Sequence, residues 1–159
     1  MSGPTKEQIR ALLWQRGSLE YKLREHQLLL YNFLWTLFLN WKPGQDRDSI
    51  RKVLNCARRF GKTFTVCLLV VELCIRYPGF IVRYAAPTEK ALRKIIRPNL
   101  NVILKDCPKN LRPTWNNADS CYIWPNGSEL NLAGTDKEHA EKLRGQGAHL
   151  VVVDEAGAM

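Results

Sequence analysis

The chain has 159 residues, of which 24 are Lys or Arg and 15 are Asp or Glu, so its formal net charge is +9. At about 150 residues per domain, this length allows one full domain and excludes a second. The 45% hydrophobic content excludes a disordered basic tail, and the positive charge favours a polyanionic partner.

The sequence gives no sign of membrane insertion or secretion. The longest apolar run, residues 28–39, contains Asn32 and Thr36 and is shorter than the ~20 residues that span a bilayer. Residues 1–16 have no apolar stretch ending in a small-residue cleavage site. The cysteines are odd in number, with no Cys-x-x-Cys pair, which favours reduced thiols over disulfides or zinc. We therefore expect a cytoplasmic protein.

The N-terminal part is predicted to be helical. Thr5 followed three residues later by Gln8 is typical of a capping box and predicts a helix over residues 6–16. A second helix is expected over residues 21–39, ending before the Pro-Gly loop at residues 43–44.

Strands and helices alternate through the middle of the chain. A strand is expected over residues 52–57 and a helix over 64–75. The next strand covers residues 80–86, and Thr88 follows as a helix cap. Pro98 should kink or restart that helix.

The C-terminal third contains the hairpin and the last strand. Residues 125–128 (Pro-Asn-Gly-Ser) lie between two predicted strands, at 121–124 and 129–133, and are typical of a hairpin turn. A short helix is expected at 137–143. The aliphatic run at 150–153 predicts a strand buried on both faces. The expected fold is α/β, with a mostly parallel sheet flanked by helices and a β-hairpin insertion.

Residues 56–63 (Cys-Ala-Arg-Arg-Phe-Gly-Lys-Thr) lie between a predicted strand and a predicted helix, the context of a Walker A phosphate loop. In this interpretation the backbone N–H groups bind phosphate oxygens at the helix N-terminus. Gly61 permits close approach, Lys62 contacts the β and γ phosphates, and Thr63 Oγ1 binds Mg²⁺. Cys56 replaces the usual first Gly, so a chance Gly-Lys-Thr at a helix start is the alternative.

Residues 151–155 (Val-Val-Val-Asp-Glu) match a Walker B strand downstream of that loop. Asp154 would hold Mg²⁺, usually through water, and Glu155 would orient and deprotonate the attacking water. An adjacent glutamate indicates the catalytic-glutamate type of P-loop ATPase. The alternative is an exposed acidic turn after a core strand.

Two arginines are candidates to stabilise the transferring phosphoryl group, a role worth roughly 10³ to 10⁵ in rate. Arg58 lies inside the loop and would act in cis. Arg144 precedes the final strand and would reach a neighbouring subunit. Each is alternatively a solvated surface arginine, and the role of Arg59 is more ambiguous.

Several segments, in order, resemble the ATPase domain of the large terminase subunit, the motor that packages DNA in tailed phages. They are residues 57–63, 85–88 (Ala-Ala-Pro-Thr), 126–128 (Asn-Gly-Ser), 143–145 (Leu-Arg-Gly) and 151–156 (Val-Val-Val-Asp-Glu-Ala). A loop with Arg and no leading Gly is typical of this family. The resemblance covers about residues 20–159, leaving 1–19 as an N-terminal helical extension.

The resemblance implies roles for matching positions. Arg58 would be the cis arginine, Arg144 the trans arginine, and Glu155 the catalytic carboxylate. Gln27 resembles the adenine-contacting glutamine of such domains, with a helix-surface glutamine as the alternative. The implied nucleotide contacts are Gln27, Ala57, Arg58, Arg59, Phe60, Gly61, Lys62, Thr63 and Asp154.

The implied ligands are ATP and Mg²⁺, and the implied partners are double-stranded DNA, the portal protein, the small terminase subunit and further copies in a homo-oligomeric ring. The location would be the host cell cytoplasm. Because terminase large subunits continue with a nuclease domain, we expect an incomplete ATPase domain without nuclease activity. A helicase-like translocase and a non-catalytic basic DNA-binding module are the alternatives.

A basic segment lies between residues 90 and 112 and contains Lys90, Arg93, Lys94, Arg97, Lys105, Lys109 and Arg112. The first four recur at helical spacing, so this stripe is a candidate for contacts with DNA phosphates. A solvated helix face is the competing interpretation.

Overall fold

The structure, a computed structural model, describes residues 2–39, 41–42, 54, 59–135 and 147–154. Of the predicted strand at 52–57, only Leu54 is among them. The predicted helix at 137–143 lies outside the described residues.

Helix α1 spans Lys6–Arg16, as predicted. The Gln8 backbone N–H donates to Thr5 Oγ1 at 3.2 Å, and the Thr5 N–H donates to Gln8 Oε1 at 2.9 Å. This reciprocal capping box satisfies two N–H groups at the helix start. Gly17 ends the helix in the left-handed conformation, at φ 62°, which glycine adopts without strain.

The predicted helix at residues 21–39 was wrong as a single element. A 3₁₀ turn at Glu20–Lys22 precedes helix α2 (Glu25–Trp35), which is followed by a second 3₁₀ turn at Thr36–Phe38. Between the first two, Leu23 and Arg24 are extended. The cause is local, because the Arg24 N–H donates to the Gln27 side chain and α2 begins only after that cap.

Helix α3 spans Lys62–Arg76 and lies at the centre of the molecule. It packs against α1 and α2, against strands β1 (Ile81–Ala86) and β4 (Glu129–Gly134), and against α5 (Arg97–Leu104). Residues 67–74 of α3 are all buried. The helix therefore forms much of the core and projects its N-terminal end beside the sheet.

The segment after β1 is one helical stretch of three parts. Helix α4 (Glu89–Ala91) is capped by Thr88, whose Oγ1 accepts the Ala91 N–H at 3.1 Å. A π-helical turn at Leu92–Ile96 leads into α5. Pro98 lies in the first turn of α5 and has no N–H to donate to the preceding turn. The backbone stays helical at Ile96 and Arg97, so the helix does not restart there.

The sheet has five described strands in the order β2-β3-β4-β1-β5, with β2 at Thr114–Asn116, β3 at Cys121–Ile123 and β5 at Leu150–Val153. Strand β1 pairs parallel with β4 and β5, whereas β2-β3 and β3-β4 are antiparallel. The predicted hairpin is confirmed, but the expected mostly parallel sheet is in fact mixed. Strand β3 lies between β2 and β4 and pairs antiparallel with both, while β4 pairs parallel with β1 on its other side.

Strand β5 was expected to be buried on both faces, and this was wrong. Val151 and Val153 are 58% and 46% exposed, whereas Leu150 and Val152 pack against the core. Alternating exposure is normal for a strand covered on one face. Among the described strands β5 ends the sheet, next to β1.

No helix within the described ranges is long and apolar enough to cross a bilayer.

Candidate phosphate-binding site

The N-terminal end of α3 forms the first half of the site. Gly61 has φ 81° and Arg59 has φ 63°, so two left-handed residues precede the helix. The Gly61 carbonyl accepts the Thr65 N–H at 3.1 Å and the Thr65 hydroxyl at 2.9 Å. The first N–H groups of a helix have no acceptor within it, and they favour an anion there. The local backbone suits phosphate.

Asp154 forms the second half of the site, directly after β5. Its Oδ2 accepts a hydrogen bond from Thr63 Oγ1 at 3.2 Å, and its backbone N–H donates to the Ala85 carbonyl at 2.9 Å. Thr63 and Asp154 are 91 positions apart in sequence. The fold therefore brings together the two residues that the sequence nominated as magnesium ligands.

Tyr84 is a site residue that the sequence analysis missed. It lies on β1, is 1% exposed, and donates its hydroxyl to Asp154 Oδ2 at 2.8 Å. Burial is the main cause that raises the Tyr84 pKa well above its ordinary value, and the neighbouring Cys67 and Asp154 add to it, so the hydroxyl keeps its proton. The sequence signal that could have identified it is a tyrosine on β1, the strand that pairs with β5, which Asp154 follows.

These residues fit a magnesium ion. Mg²⁺ takes oxygen ligands and is usually held by one or two protein groups, together with substrate phosphates and water. The Thr63 hydroxyl and the Asp154 carboxylate are such groups. The part of the chain that the structure describes contains no cluster of three or more His, Cys, Asp or Glu suited to a metal.

A cavity of about 320 Å³ adjoins the loop. It is lined by three cationic side chains, by aromatic rings and by Gln27 and Gly61; the set is Lys22, Arg24, His26, Gln27, Arg59, Phe60, Gly61 and Phe64. The His26 and Phe60 rings meet edge to face, with centroids 5.0 Å apart. Cationic side chains attract phosphate groups, and aromatic rings can stack against a planar group, so this lining suits a ligand that is both anionic and planar.

Gln27 lies against the loop. Its side chain is 6% exposed, and Nε2 donates to the Gly61 carbonyl at 3.1 Å. Its Oε1 accepts the Arg24 N–H at 2.9 Å. Gln27 is thus a buried bridge between α2 and the loop, which differs from the helix-surface alternative.

Several predicted site residues lie outside the described residues: Ala57, Arg58, Arg144 and Glu155. Their roles stay predictions. Of the loop positions within the described residues, Arg59 is exposed, whereas Phe60, Gly61, Lys62 and Thr63 are half-buried.

The cationic side chains of the basic segment differ in exposure. Lys90, Arg93 and Lys94 are exposed. Arg97 instead stacks over Trp115, with its guanidinium carbon 4.0 Å from the ring centroid. Arg97 therefore differs from the exposed cations of its stripe.

The fold is an α/β architecture with a mixed five-stranded sheet flanked by helices. The chain belongs to the family described as terminase large subunit, T4likevirus-type, N-terminal, whose model matches residues 53–159. This confirms the resemblance, and the family implies a part in phage DNA packaging. The matched range includes Thr63 and Asp154 but not Gln27. No curated protein and no solved structure matches the chain.

Proposed function

We propose that the N-terminal end of α3 and the C-terminal end of β5 form the ATP·Mg²⁺ site of a viral packaging motor. In a ring of subunits, this motor would hydrolyse ATP to move double-stranded DNA into a procapsid. The observation that carries the proposal is the Thr63 Oγ1–Asp154 Oδ2 hydrogen bond of 3.2 Å. It joins the helix end suited to phosphate with the carboxylate suited to the metal.

The triphosphate would be held mainly by the loop. Gly61 lets the backbone approach the phosphates, and the N–H groups at the start of α3 bind their oxygens. The ammonium group of Lys62 would contact the β and γ phosphates. Residues 57–60 complete the loop in this proposal.

Thr63 and Asp154 would hold Mg²⁺, which when bound neutralises charge on the phosphate oxygens. Tyr84 orients the Asp154 carboxylate through its hydrogen bond of 2.8 Å. Because burial keeps the Tyr84 hydroxyl protonated, it remains a donor across the ordinary pH range. Tyr84 is therefore a positioning residue in this site.

Glu155 would accept the proton from the water that attacks the γ phosphate, and ADP would leave as the terminal P–O bond breaks. Arg58 in cis and Arg144 from a neighbouring subunit would balance charge on the transferring phosphoryl group. These three assignments rest on the sequence pattern and on the family resemblance.

The DNA partner follows from family membership and charge. Lys90, Arg93 and Lys94 are exposed on one helical stretch, which supports contacts with phosphates of any sequence. The portal protein, the small terminase subunit and the host cytoplasm complete the proposal as the partners and location of a packaging motor.

The test is calorimetric titration of Mg·ATP into the wild-type chain and the Lys62→Ala variant. Losing one charge-assisted contact, worth about 1.5–3 kcal/mol, should weaken binding roughly 10- to 100-fold. Lys94→Ala is the matched control, since it removes an exposed lysine from another helical stretch. Equal affinity in wild type and Lys62→Ala would refute the site.

A further inference from the structure

We propose that His149 is a positioning residue for the nucleotide site, because it bonds both backbone polar groups of Ile81 and so fixes where Asp154 lies. This inference rests on the proposed nucleotide site. It adds to that site a residue that lies outside both sequence motifs, directly before β5.

His149 is joined to the first residue of β1 by two hydrogen bonds. Its backbone N–H donates to the Ile81 carbonyl at 2.9 Å, and its ring Nδ1 accepts the Ile81 N–H at 2.9 Å. Each residue has one backbone donor and one backbone carbonyl, so a single residue engages both polar groups of Ile81. To accept, Nδ1 must carry no proton, which places the ring proton of the neutral histidine on Nε2.

Aromatic neighbours orient the His149 ring. It stacks on Phe80, with centroids 5.0 Å apart and an interplanar angle of 18°, and it meets Trp41 edge to face at 6.2 Å. Trp41 also meets Phe80 edge to face at 5.6 Å. Stacked and edge-to-face arrangements are those that ring pairs prefer. Because the residue as a whole is exposed, these ring contacts rather than burial hold Nδ1 towards the Ile81 N–H.

Strand β5 has few other means of fixing its register. It has four residues, Leu150–Val153, and among the described strands it pairs with β1. Residues 82–85 of β1 pair in order with residues 150–153. Because side chains alternate between the faces of a sheet, a slip of one residue would reverse which of them face the core. The two bonds of His149 extend the pairing by one residue, at the end of β5 away from Asp154.

The register of β5 decides where the Asp154 carboxylate lies. The Asp154 N–H donates to the Ala85 carbonyl at 2.9 Å, directly after the last pair of the two strands. With this register, Oδ2 accepts the Tyr84 hydroxyl at 2.8 Å and the Thr63 hydroxyl at 3.2 Å. One residue of a strand spans about 3.3 Å, so a slip of that size would take the carboxylate out of reach of both hydroxyls. An anchor at the start of β5 therefore acts on the proposed metal ligand at its end.

Ser128 provides a matched comparison on the other side of β1. Its Oγ accepts the Phe80 N–H at 3.1 Å and donates to the Tyr77 carbonyl at 2.8 Å. Ser128 is fully buried and directly precedes β4, which carries none of the proposed site residues. Both side chains thus bond the backbone at the start of β1, but only His149 lies on the segment that leads to Asp154.

The experiment compares four chains: wild type, His149→Phe, His149→Asn and Ser128→Ala. His149→Phe keeps a ring against Phe80 but has no acceptor, whereas His149→Asn places its Oδ1 at the position of Nδ1 and loses the ring. Calorimetric titration measures the affinity for Mg·ATP, and hydrogen exchange followed by NMR measures the protection of the Asp154 amide in the free chain. Thermal denaturation establishes that each chain is folded.

We expect His149→Phe to weaken Mg·ATP binding about three- to tenfold, the effect of one hydrogen bond. The Asp154 amide should exchange faster in the same variant, because the strand that holds it has lost its anchor. His149→Asn should restore both quantities to near the wild-type values, since it restores the acceptor. Ser128→Ala should lower the melting temperature and leave the Mg·ATP affinity unchanged.

The inference is overturned if His149→Phe binds Mg·ATP as wild type does and its Asp154 amide exchanges at the wild-type rate. It is also overturned if His149→Asn loses as much affinity as His149→Phe, because the acceptor would then not be the cause. If the wild-type chain does not bind Mg·ATP, the proposed function fails, whereas faster Asp154 exchange in His149→Phe would still establish the anchor on β5.

Discussion

A carboxylate lies near each end of α3, Glu72 at the C-terminal end and Asp154 at the N-terminal end, and the two differ in burial and in hydrogen-bond donors. Near the C-terminal end, Glu72 is fully buried and its oxygens accept hydrogen bonds from the Leu19 N–H at 2.6 Å, the Tyr31 hydroxyl at 2.7 Å and Trp35 Nε1 at 3.1 Å. The donors come from three separate positions in the first 35 residues. This end is a closed polar cluster that ties the N-terminal elements to the core.

At the N-terminal end, Asp154 is only partly buried and its described side-chain partners are the hydroxyls of Thr63 and Tyr84. The helix N–H groups beside it lack acceptors within α3. A carboxylate has about four acceptor sites, so this one keeps capacity for a ligand. A fully buried carboxylate with three protein donors therefore serves stability, whereas a partly exposed one beside a helix start serves binding.

The largest expected difference is in stability. Glu72→Ala removes the acceptor of two buried donors and of the part-buried Trp35 Nε1, and should lower the free energy of unfolding by about 3–5 kcal/mol. Asp154→Ala, at a partly exposed position, should cost about 1 kcal/mol. Urea denaturation of both variants measures the difference, and equal costs would remove the distinction between the two ends.

Two glycines allow the same contrast with matched substitutions. A Cβ at Gly17 would lie 2.7 Å from Arg76 Cγ, near the closed end, and one at Gly61 would lie 2.2 Å from Gln27 Nε2, at the open end. Both have positive φ, so each alanine should cost about 1–3 kcal/mol of stability. Only Gly61→Ala should also weaken Mg·ATP binding, measured by calorimetry. If Gly17→Ala weakens it equally, the loop has no special role.

The pH dependence of stability should come in part from the closed end. Burial is the main cause that raises the pKa of Glu72 above its ordinary value of 4.5. The folded state therefore binds this proton more tightly than the unfolded state. The contribution is fully present below pH 4.5 and declines as the pH rises through the higher folded value. Urea denaturation across this range should show that the free energy of unfolding declines with pH in wild type, and that this decline is lost in Glu72→Gln. An unchanged pH dependence in the variant would assign the decline to another group.

The sequence predicted those elements whose signals are local. The Thr5–Gln8 box predicted α1, and the turn at residues 125–128 predicted the hairpin. The break before α2 was missed because Arg24 is not a usual capping residue, and its cap depends on the Gln27 side chain. The mixed sheet was missed because local patterns do not tell which sheet a hairpin joins.

Contacts between residues distant in sequence also limited the prediction of the site. Thr63 and Asp154 were found through the spacing of two motifs that bind one ligand type. Tyr84 was missed because its contact with Asp154 depends on the register of β1 against β5, which pairs Tyr84 with Val152. Glu72 was missed because it lies within an apolar helix, and its donors are distant in sequence.

The most direct test of the central claim is a solution NMR titration of the wild-type chain with Mg·ATP, following the backbone amides of Thr63, Asp154 and Glu72. We predict that the Thr63 and Asp154 signals shift together with one dissociation constant, while Glu72 shifts little, and that Lys62→Ala weakens both responses equally. Independent titration of Thr63 and Asp154, or shifts concentrated around Glu72, would contradict a shared triphosphate site.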